Sequence, residues 1–554
     1  MSSYAIGVDF GTLSARALVA EVGTGRELAS ASMDYPHQVM DERLPDGTRL
    51  ASDWALQHPQ DYLDCLYHIV PEALRRSGIS KDEAIGLGLD FTACTMVATD
   101  RAGTPLCLKQ EFASNPHAYV KLWKHHAAQP EADRINALAA ERGEPFLARY
   151  GGKTSSEWMF PKIWQVLREA PGVYAAAERF IEAGDWVVWM LTGMPTRSSC
   201  LAGYKALWHA AEGYPARDFF RALDPRLENV VAEKMPEPVL PIGSKAGELT
   251  GEAAHLTGLK VGTAVAVANV DAHVSLPPAG LTEPGDALMI MGTSTCHVML
   301  SEAERCVPGI SGAVRDGVVP GLVGYEGNQV TGDHFNWFVD HCLPERYARE
   351  ARERDIDPHA LLSEKAARLK PGESGLLALD WWGGNRSVLV DGTLSGLIVG
   401  MTLTTKPEDI YRALVEATAY GARTILTAYG AHGVHVRRLF ACGGIAQKNP
   451  FIMQLYADVI GRPIGIARSA QTPALGSAMF GALAAGAARG GYDSIADAAR
   501  EMGGTTGVVY RPIPENQRIY DQLYREYAAL HDHFGRGAND VMKRLKTIKA
   551  AQSS

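Results

Sequence analysis

Asp9-Phe10-Gly11-Thr12-Leu13-Ser14-Ala15-Arg16 spans the junction of two apolar runs, residues 4–10 and 16–22, joined by Gly11 to Ala15. Two apolar, β-branched stretches joined by a glycine-led turn read as a strand hairpin. The first strand carries the Asp9 carboxylate to its carboxyl end. Gly11 permits a tight turn whose backbone N–H groups can point at an anion. Thr12 and Ser14 add hydroxyl donors, and Arg16 adds a fixed cationic fork. A carboxylate beside such a loop suits hydrated Mg2+, which takes one or two carboxylates plus phosphate oxygens. Asp9 is therefore the candidate metal ligand, with Gly11, Thr12, Ser14 and Arg16 as candidate phosphate contacts. An ordinary hairpin with a glycine turn is the competing reading of these residues alone. No GxxxxGK[ST] run occurs in the chain, which disfavours P-loop chemistry.

The same arrangement returns near the middle of the chain. Residues 287–291 and 297–300 read as strands flanking Gly292-Thr293-Ser294-Thr295-Cys296. Alone this is another turn. Paired with the first loop across a cleft, Gly292, Thr293 and Ser294 complete a two-sided phosphate clamp. Alternating strand and helix patterns mark the chain as α/β, and the echo divides it into two similar halves. Residues 85–91 and 94–99 read as a further hairpin around Thr92 and Ala93. A compact strand at 264–268 leads to Asn269-Val270-Asp271-Ala272-His273 at the junction of the halves, where residues 265–275 form a hinge candidate. A carboxylate there could accept a proton from an attacking alcohol; a helix N-cap is the plainer reading. Its ordinary pKa of ~3.9 would leave Asp271 ionised at neutral pH.

In Arg437–Pro450 a strand runs into Gly443-Gly444 and then a helix capped by Asn449, with Pro450 at its first position and Gly461 past its end. Gly443, Gly444 and the positive helix end offer an adenosine pocket. Thr472 to Ala488 reads as a helix of small residues suited to close packing, and residues 514–551 as charged, amphipathic helix. Gly203-Tyr204-Lys205 and Tyr325-Glu326-Gly327-Asn328-Gln329 place polar groups in apolar surroundings, and by themselves read as surface loops. Trp381 to Arg386 reads as core followed by a loop.

The 554 residues are 46% hydrophobic and 21% charged, as in a soluble globular protein. The 56 glycines are a mild excess. A net charge of −9 gives no general pull toward nucleic acid or anionic membrane. Eight scattered cysteines show no zinc spacing and imply reduced thiols in a cytoplasmic protein. No signal peptide is visible at the start. The longest uncharged stretch, residues 469–488, carries Gln471 and Pro473 and does not read as a membrane span.

Taken together, these segments resemble the FGGY carbohydrate kinases, of the sugar kinase, heat-shock chaperone and actin superfamily. The resemblance spans nearly the whole chain. Asp9–Arg16 and Met291–Cys296 are similar to the family's two phosphate loops, Gly443-Gly444 with Asn449 to its adenosine motif, and Phe160-Pro161-Lys162-Ile163-Trp164 to a signature segment. It implies two ribonuclease-H-like domains of the actin-like ATPase and sugar-kinase type around a central cleft. Their expected extents are residues 1–270, holding the sugar site and first phosphate loop, and 271–554, holding the nucleotide site. Asp90–Cys94, Ala202–Trp208, Asn269–His273 and Gly324–Gln329 fit best the branch acting on ribulose. Xylulose and glycerol kinases usually carry Gln beside the base, where Ala272 and His273 stand here. The resemblance implies that Asp271 is the catalytic base. It also implies that Ala93 (through its backbone), Lys205, Asp271 and Glu326 bind the sugar, and that ATP and Mg2+ are required. The expected reaction is phosphorylation of L-ribulose at O5, as in L-arabinose catabolism. The alternatives are D-ribulose, xylulose, ribitol or another pentitol, or a nucleotide-driven binding protein of the chaperone and actin kind. A homodimer is expected from the family.

Overall fold

The computed structural model describes residues 3–553. Its first sheet runs in spatial order Lys245–Glu248, Ala264–Ala266, Ala84–Phe91, Tyr4–Phe10, Ser14–Glu21, Glu27–Asp34, with Asn269–Val270 also beside Ala84–Phe91. The second runs Gly312–Arg315, Val323–Val330, Ser294–Ser301, Asp286–Met291, Arg438–Cys442, Ile464–Ala467, Thr505–Tyr510. From each central hairpin outward the strand senses are the same. A third antiparallel strand lies on one side; two parallel strands and an antiparallel edge lie on the other. The echo in the sequence is thus a duplicated fold.

Both hairpin turns are tighter than the sequence implies. Ser14 and Ala15 already belong to the returning strand, as do Ser294, Thr295 and Cys296. Gly11 N–H donates to the Ser14 carbonyl at 3.0 Å, and Gly292 N–H to that of Ser294 at 2.9 Å. The expected hairpin of residues 85–91 with 94–99 does not form. Ala84–Phe91 already has a strand on each side, so no edge is free. Cys94 takes a left-handed φ of 57° and turns the chain out of the sheet. Met96–Thr99 instead joins a four-stranded accessory sheet, pairing with Val120–Lys121 and Arg179–Glu182.

Helices Pro407–Ala431, Pro450–Ile460 and Thr472–Ala485 form where periodicity and capping place them. The last is shorter than expected, ending at Gly486. Although it comes from the second half of the sequence, it packs on the first sheet. A Cβ on Gly7 would overlap the Ala474 carbonyl; one on Gly86 would strike Gly481, and one on Gly88 the Ser477 carbonyl. Ala474, Ala478 and Met479 accordingly share one core with Val8, Leu87 and Leu89. Val323–Val330, Pro407–Ala431 and Pro514–Gly535 contribute to a second core, which includes Tyr325, Tyr420 and Tyr527. All eight cysteines are free thiols. Among the described residues no helix is long and apolar enough to cross a membrane.

This close approach predicts a sharp difference between glycines. Gly88→Ala should lower stability to urea by about 1–3 kcal/mol or more, the cost of overpacking. Gly23→Ala, with nothing near the added carbon, should leave the unfolding midpoint nearly unchanged.

Candidate active site

The strand ends of both sheets converge on one cleft. Asp9 and Asp90 sit opposite each other on parallel strands, and Arg16 opposes Asp9 on the antiparallel side. Burial raises the Asp9 pKa, opposed by a hydrogen bond with Asp90 and by the Arg16 charge. Burial, then the neighbouring Asp9 charge, pushes the Asp90 pKa well above the usual carboxylate range. Ser477, from the small-residue helix, donates to Asp90 Oδ2 at 2.6 Å.

Asp271 opens the short helix Asp271–Val274, and its Oδ1 accepts the Ala272 N–H at 2.7 Å. Its pKa is pushed up to about 7, by burial first and then by the Asp9 charge. The expectation of full ionisation at neutral pH is therefore corrected: the free-residue value ignores desolvation and the crowd of acids.

Lys205 and Glu326 are not in surface loops. Lys205 ends the buried helix Ser199–Lys205, and Glu326 lies within strand Val323–Val330. Strand alternation turns Glu326 inward, a placement that polarity alone hides. Lys205 Nζ lies 2.9 Å from Glu326 Oε1 and 5.5 Å from the centre of the Trp158 ring. Burial would raise the Glu326 pKa, but Lys205 and the His273 hydrogen bond hold it far below the usual carboxylate range. His273 Nε2 is 3.0 Å from Glu326 Oε2; its Nδ1 is 3.4 Å from Cys200 Sγ, and its ring packs 3.9 Å from that of Tyr204. Asn328 Nδ2 donates to Glu326 Oε1 at 2.6 Å. The sequence marked His273 as a departure from Gln and gave it no role. Asp90, Asn328 and Ser477 were likewise unassigned, because their partners come from distant segments.

The half-buried Ala93 sits in the turn that leaves the first sheet. Lys162, in the signature segment, braces this turn: its Nζ donates to the Cys94 carbonyl at 2.6 Å and to that of Leu122 at 2.8 Å. The phosphate-loop candidates divide between the halves. Tyr35 holds the Gly11 carbonyl at 3.0 Å, Gln57 the Thr12 carbonyl at 2.7 Å, and Trp123 the Thr12 hydroxyl at 3.1 Å. Gly292 and Thr293 are exposed, while Ser294 is half-buried. Their loop is tied to helix Gly332–Cys342 through Gly332 N–H to Gly292 O at 3.1 Å. Gly443, at φ 92°, lies so close to the Met291 carbonyl that a Cβ would collide with it. Gly444 starts the next helix and is exposed. Asn449 lies one short helix further on. Its Oδ1 caps Ile452 N–H and its Nδ2 donates to Ser363, so both ends of its side chain are already engaged.

A cavity of about 990 Å3 opens between the halves. Tyr150, Trp158 and Lys205 line one side, and Ser311, Asn328 and Trp382 the other. Arg386 reaches across it, 5.2 Å from the Trp123 ring centre and 3.7 Å from Glu157. Trp381 is core, as the sequence implies, but the loop behind it enters the cleft.

Duplicated sheets whose glycine-turn hairpins face one cleft, with a half-buried carboxylate at the junction, define a phosphotransferase of the sugar-kinase type. The FGGY carbohydrate kinase N-terminal domain matches residues 4–276 and the C-terminal domain residues 287–485, so the chain belongs to that family. A protein named ribulokinase from Bacillus licheniformis is 56% identical, covering 98% of each chain. Another of that name, from Geobacillus thermodenitrificans, is 55% identical over 100% of this chain and 99% of its own. Among solved structures, xylulose kinase from Rhodospirillum rubrum is similar with a TM-score of 0.76 and 25% identity, covering 95% of this chain and 98% of its own. Gluconate kinase from Lactobacillus acidophilus shares the fold at a TM-score of 0.77 and 16% identity, covering 97% and 99%.

Removing one member of the buried ion pair exposes its role. Lys205→Met should cost about 3–5 kcal/mol in urea unfolding by leaving Glu326 uncompensated. The double variant Lys205→Met/Glu326→Gln should recover part of that loss.

Proposed function

We propose that this kinase phosphorylates the 5-hydroxyl of L-ribulose with ATP, a reaction of L-arabinose catabolism. The observation that carries the substrate class is the Lys205–Glu326–His273 network beside Asp271. A set of fixed donors and acceptors next to a base is what a small polyol requires. The relatives named ribulokinase, matched end to end, support ribulose as the acceptor.

Asp271 accepts the proton of the attacking hydroxyl, and its raised pKa suits a general base working near neutrality. Lys205, Glu326 and the Ala93 backbone hold the sugar so that attack is effectively intramolecular. Gly11, Thr12, Ser14 and Arg16 face the nucleotide phosphates from one side, and Gly292, Thr293 and Ser294 from the other. Their N–H and hydroxyl donors meet the charge of the transferring group. Gly443 and Gly444 admit the adenosine to the backbone. Asn449 supports that pocket by capping the helix behind it.

The carboxylate oxygens at this spot fit Mg2+: Asp90 stands opposite Asp9 on the neighbouring strand, and Asp271 lies near enough to feel the Asp9 charge. Bound there, Mg2+ would neutralise phosphate charge. Closure of the halves, latched by Arg386 against Trp123 and Glu157, excludes water from the reaction. A cytoplasmic homodimer completes the proposal, and its oligomeric state is read by light scattering.

Asp271→Asn should lower turnover by roughly 10²–10⁴-fold while ATP still binds, measured by calorimetry; undiminished turnover removes Asp271 from the role. Because the base must be ionised, kcat/KM should climb with pH through about 7 and then level off. A profile flat from pH 5.5 to 8.5 (roughly the span around that midpoint) contradicts this assignment. ADP release in the presence of L-ribulose, D-ribulose, xylulose or ribitol should be greatest with L-ribulose. Sugar-independent hydrolysis at the same rate would instead favour a nucleotide-driven binding protein.

A further inference from the structure

We propose that His37, His58 and Asp61 form a binding site for a divalent transition-metal ion, behind the first phosphate loop and separate from Asp9. The three residues come from a loop and a helix start that the fold brings together. His37 follows strand Glu27–Asp34, His58 is the N-cap of helix Pro59–Ser77, and Asp61 lies in that helix's first turn. One ligand atom from each lies within 4.8 Å of the other two.

The geometry is more than a helix cap. Asp61 is 98% buried and receives two contacts from His37: its backbone N–H at 3.0 Å and its Nδ1 at 2.7 Å. His58 makes no side-chain cap bond. Its ring stacks on that of His37 with centres 4.3 Å apart, and its buried Nδ1 has no hydrogen-bond partner. That nitrogen sits 4.0 Å from Asp61 Oδ1. A buried imidazole nitrogen left without a partner, aimed at a carboxylate that already holds a second imidazole, is the arrangement a shared ion completes. Adjustments of about 1 Å would bring the three atoms to bonding distances of ~2.0–2.2 Å. The proton between His37 Nδ1 and Asp61 would leave to solvent as the metal takes its place.

Ligand chemistry selects the ion. Two imidazoles and one carboxylate suit Zn2+, Co2+ or Ni2+, whereas Mg2+ takes oxygen ligands. This distinguishes the site from the one proposed at Asp9.

Its place in the chain gives it a consequence. Gln57 precedes His58 and holds the Thr12 carbonyl; Tyr35, two residues before His37, holds the Gly11 carbonyl. Both props of the first phosphate loop therefore stand beside the ligands. An ion that draws the ligands together stiffens or displaces that loop, a consequence that rests on the proposed phosphate role of Gly11 and Thr12.

The test uses the full chain, freed of metal by chelation and titrated with Co2+ while visible absorbance and heat are recorded. One equivalent should bind with the absorbance of a low-coordinate nitrogen–oxygen site, and excess Mg2+ should not displace it. His58→Phe keeps the ring stack and removes the ligand. His37→Gln keeps a polar contact to Asp61. Each should weaken Co2+ binding at least tenfold while circular dichroism remains unchanged. No binding, or equal affinity in the wild type and both variants, overturns the site. For the link to the loop, Zn2+ should change the KM for Mg-ATP severalfold in the wild type and not in His58→Phe. Binding without that change leaves the site standing and overturns only its coupling to the loop.

Discussion

Backbone against backbone is the contact on which this molecule depends. Helix Thr472–Ala485 lies on the first sheet with Gly7, Gly86 and Gly88 beneath it and Gly476 and Gly481 on its own face. With no side chains intervening, it approaches more closely than ordinary packing allows. That closeness lets the Ser477 hydroxyl reach Asp90. It also seats Gly476 against the carbonyl of Val274, the last residue of the helix that begins with Asp271. A helix from the second half of the chain thus positions acids belonging to the first sheet and the junction. The glycine excess in the composition is partly this interface. Its entropic cost is offset by a contact that no larger residue permits.

The cleft built this way is electrostatically strained. Burial and the Asp9 charge raise the pKa values of Asp90 and Asp271, while Lys205 and His273 hold that of Glu326 down. A buried ion pair is seldom worth much net stability. Its value here is orientation: Lys205 belongs to the first half and Glu326 to the second, so the pair forms only when the halves meet. The net charge of −9 is compatible with the proposed nucleotide site, whose candidate donors are two local loops and one arginine.

Particular residues show what was legible in the sequence. The Asp9–Arg16 turn and its echo at Gly292 were readable because strand, glycine and hydroxyl occur in one short run. Helix Pro450–Ile460 was readable from its own cap signals. The hairpin expected around Thr92 failed because strand pairing depends on which edges remain free, and Ala84–Phe91 has none. Lys205 and Glu326 looked like loop residues because their burial depends on each other. The ordinary pKa expected of Asp271 failed because desolvation and neighbouring acids are properties of the folded cleft.

The sequence by itself determined the α/β class, the duplicated halves, the phosphate-loop candidates and the likeness to sugar kinases. All of these rest on short-range patterns of apolar period, turn residues and spacing. Only the tertiary structure decided the Lys205–Glu326–His273 network, the contact of Ser477 with Asp90, the cleft-spanning Arg386 and the pairing of His37 with His58. Each joins segments separated in the chain, and the energies that set them, burial and Coulomb interaction, depend on distances in space.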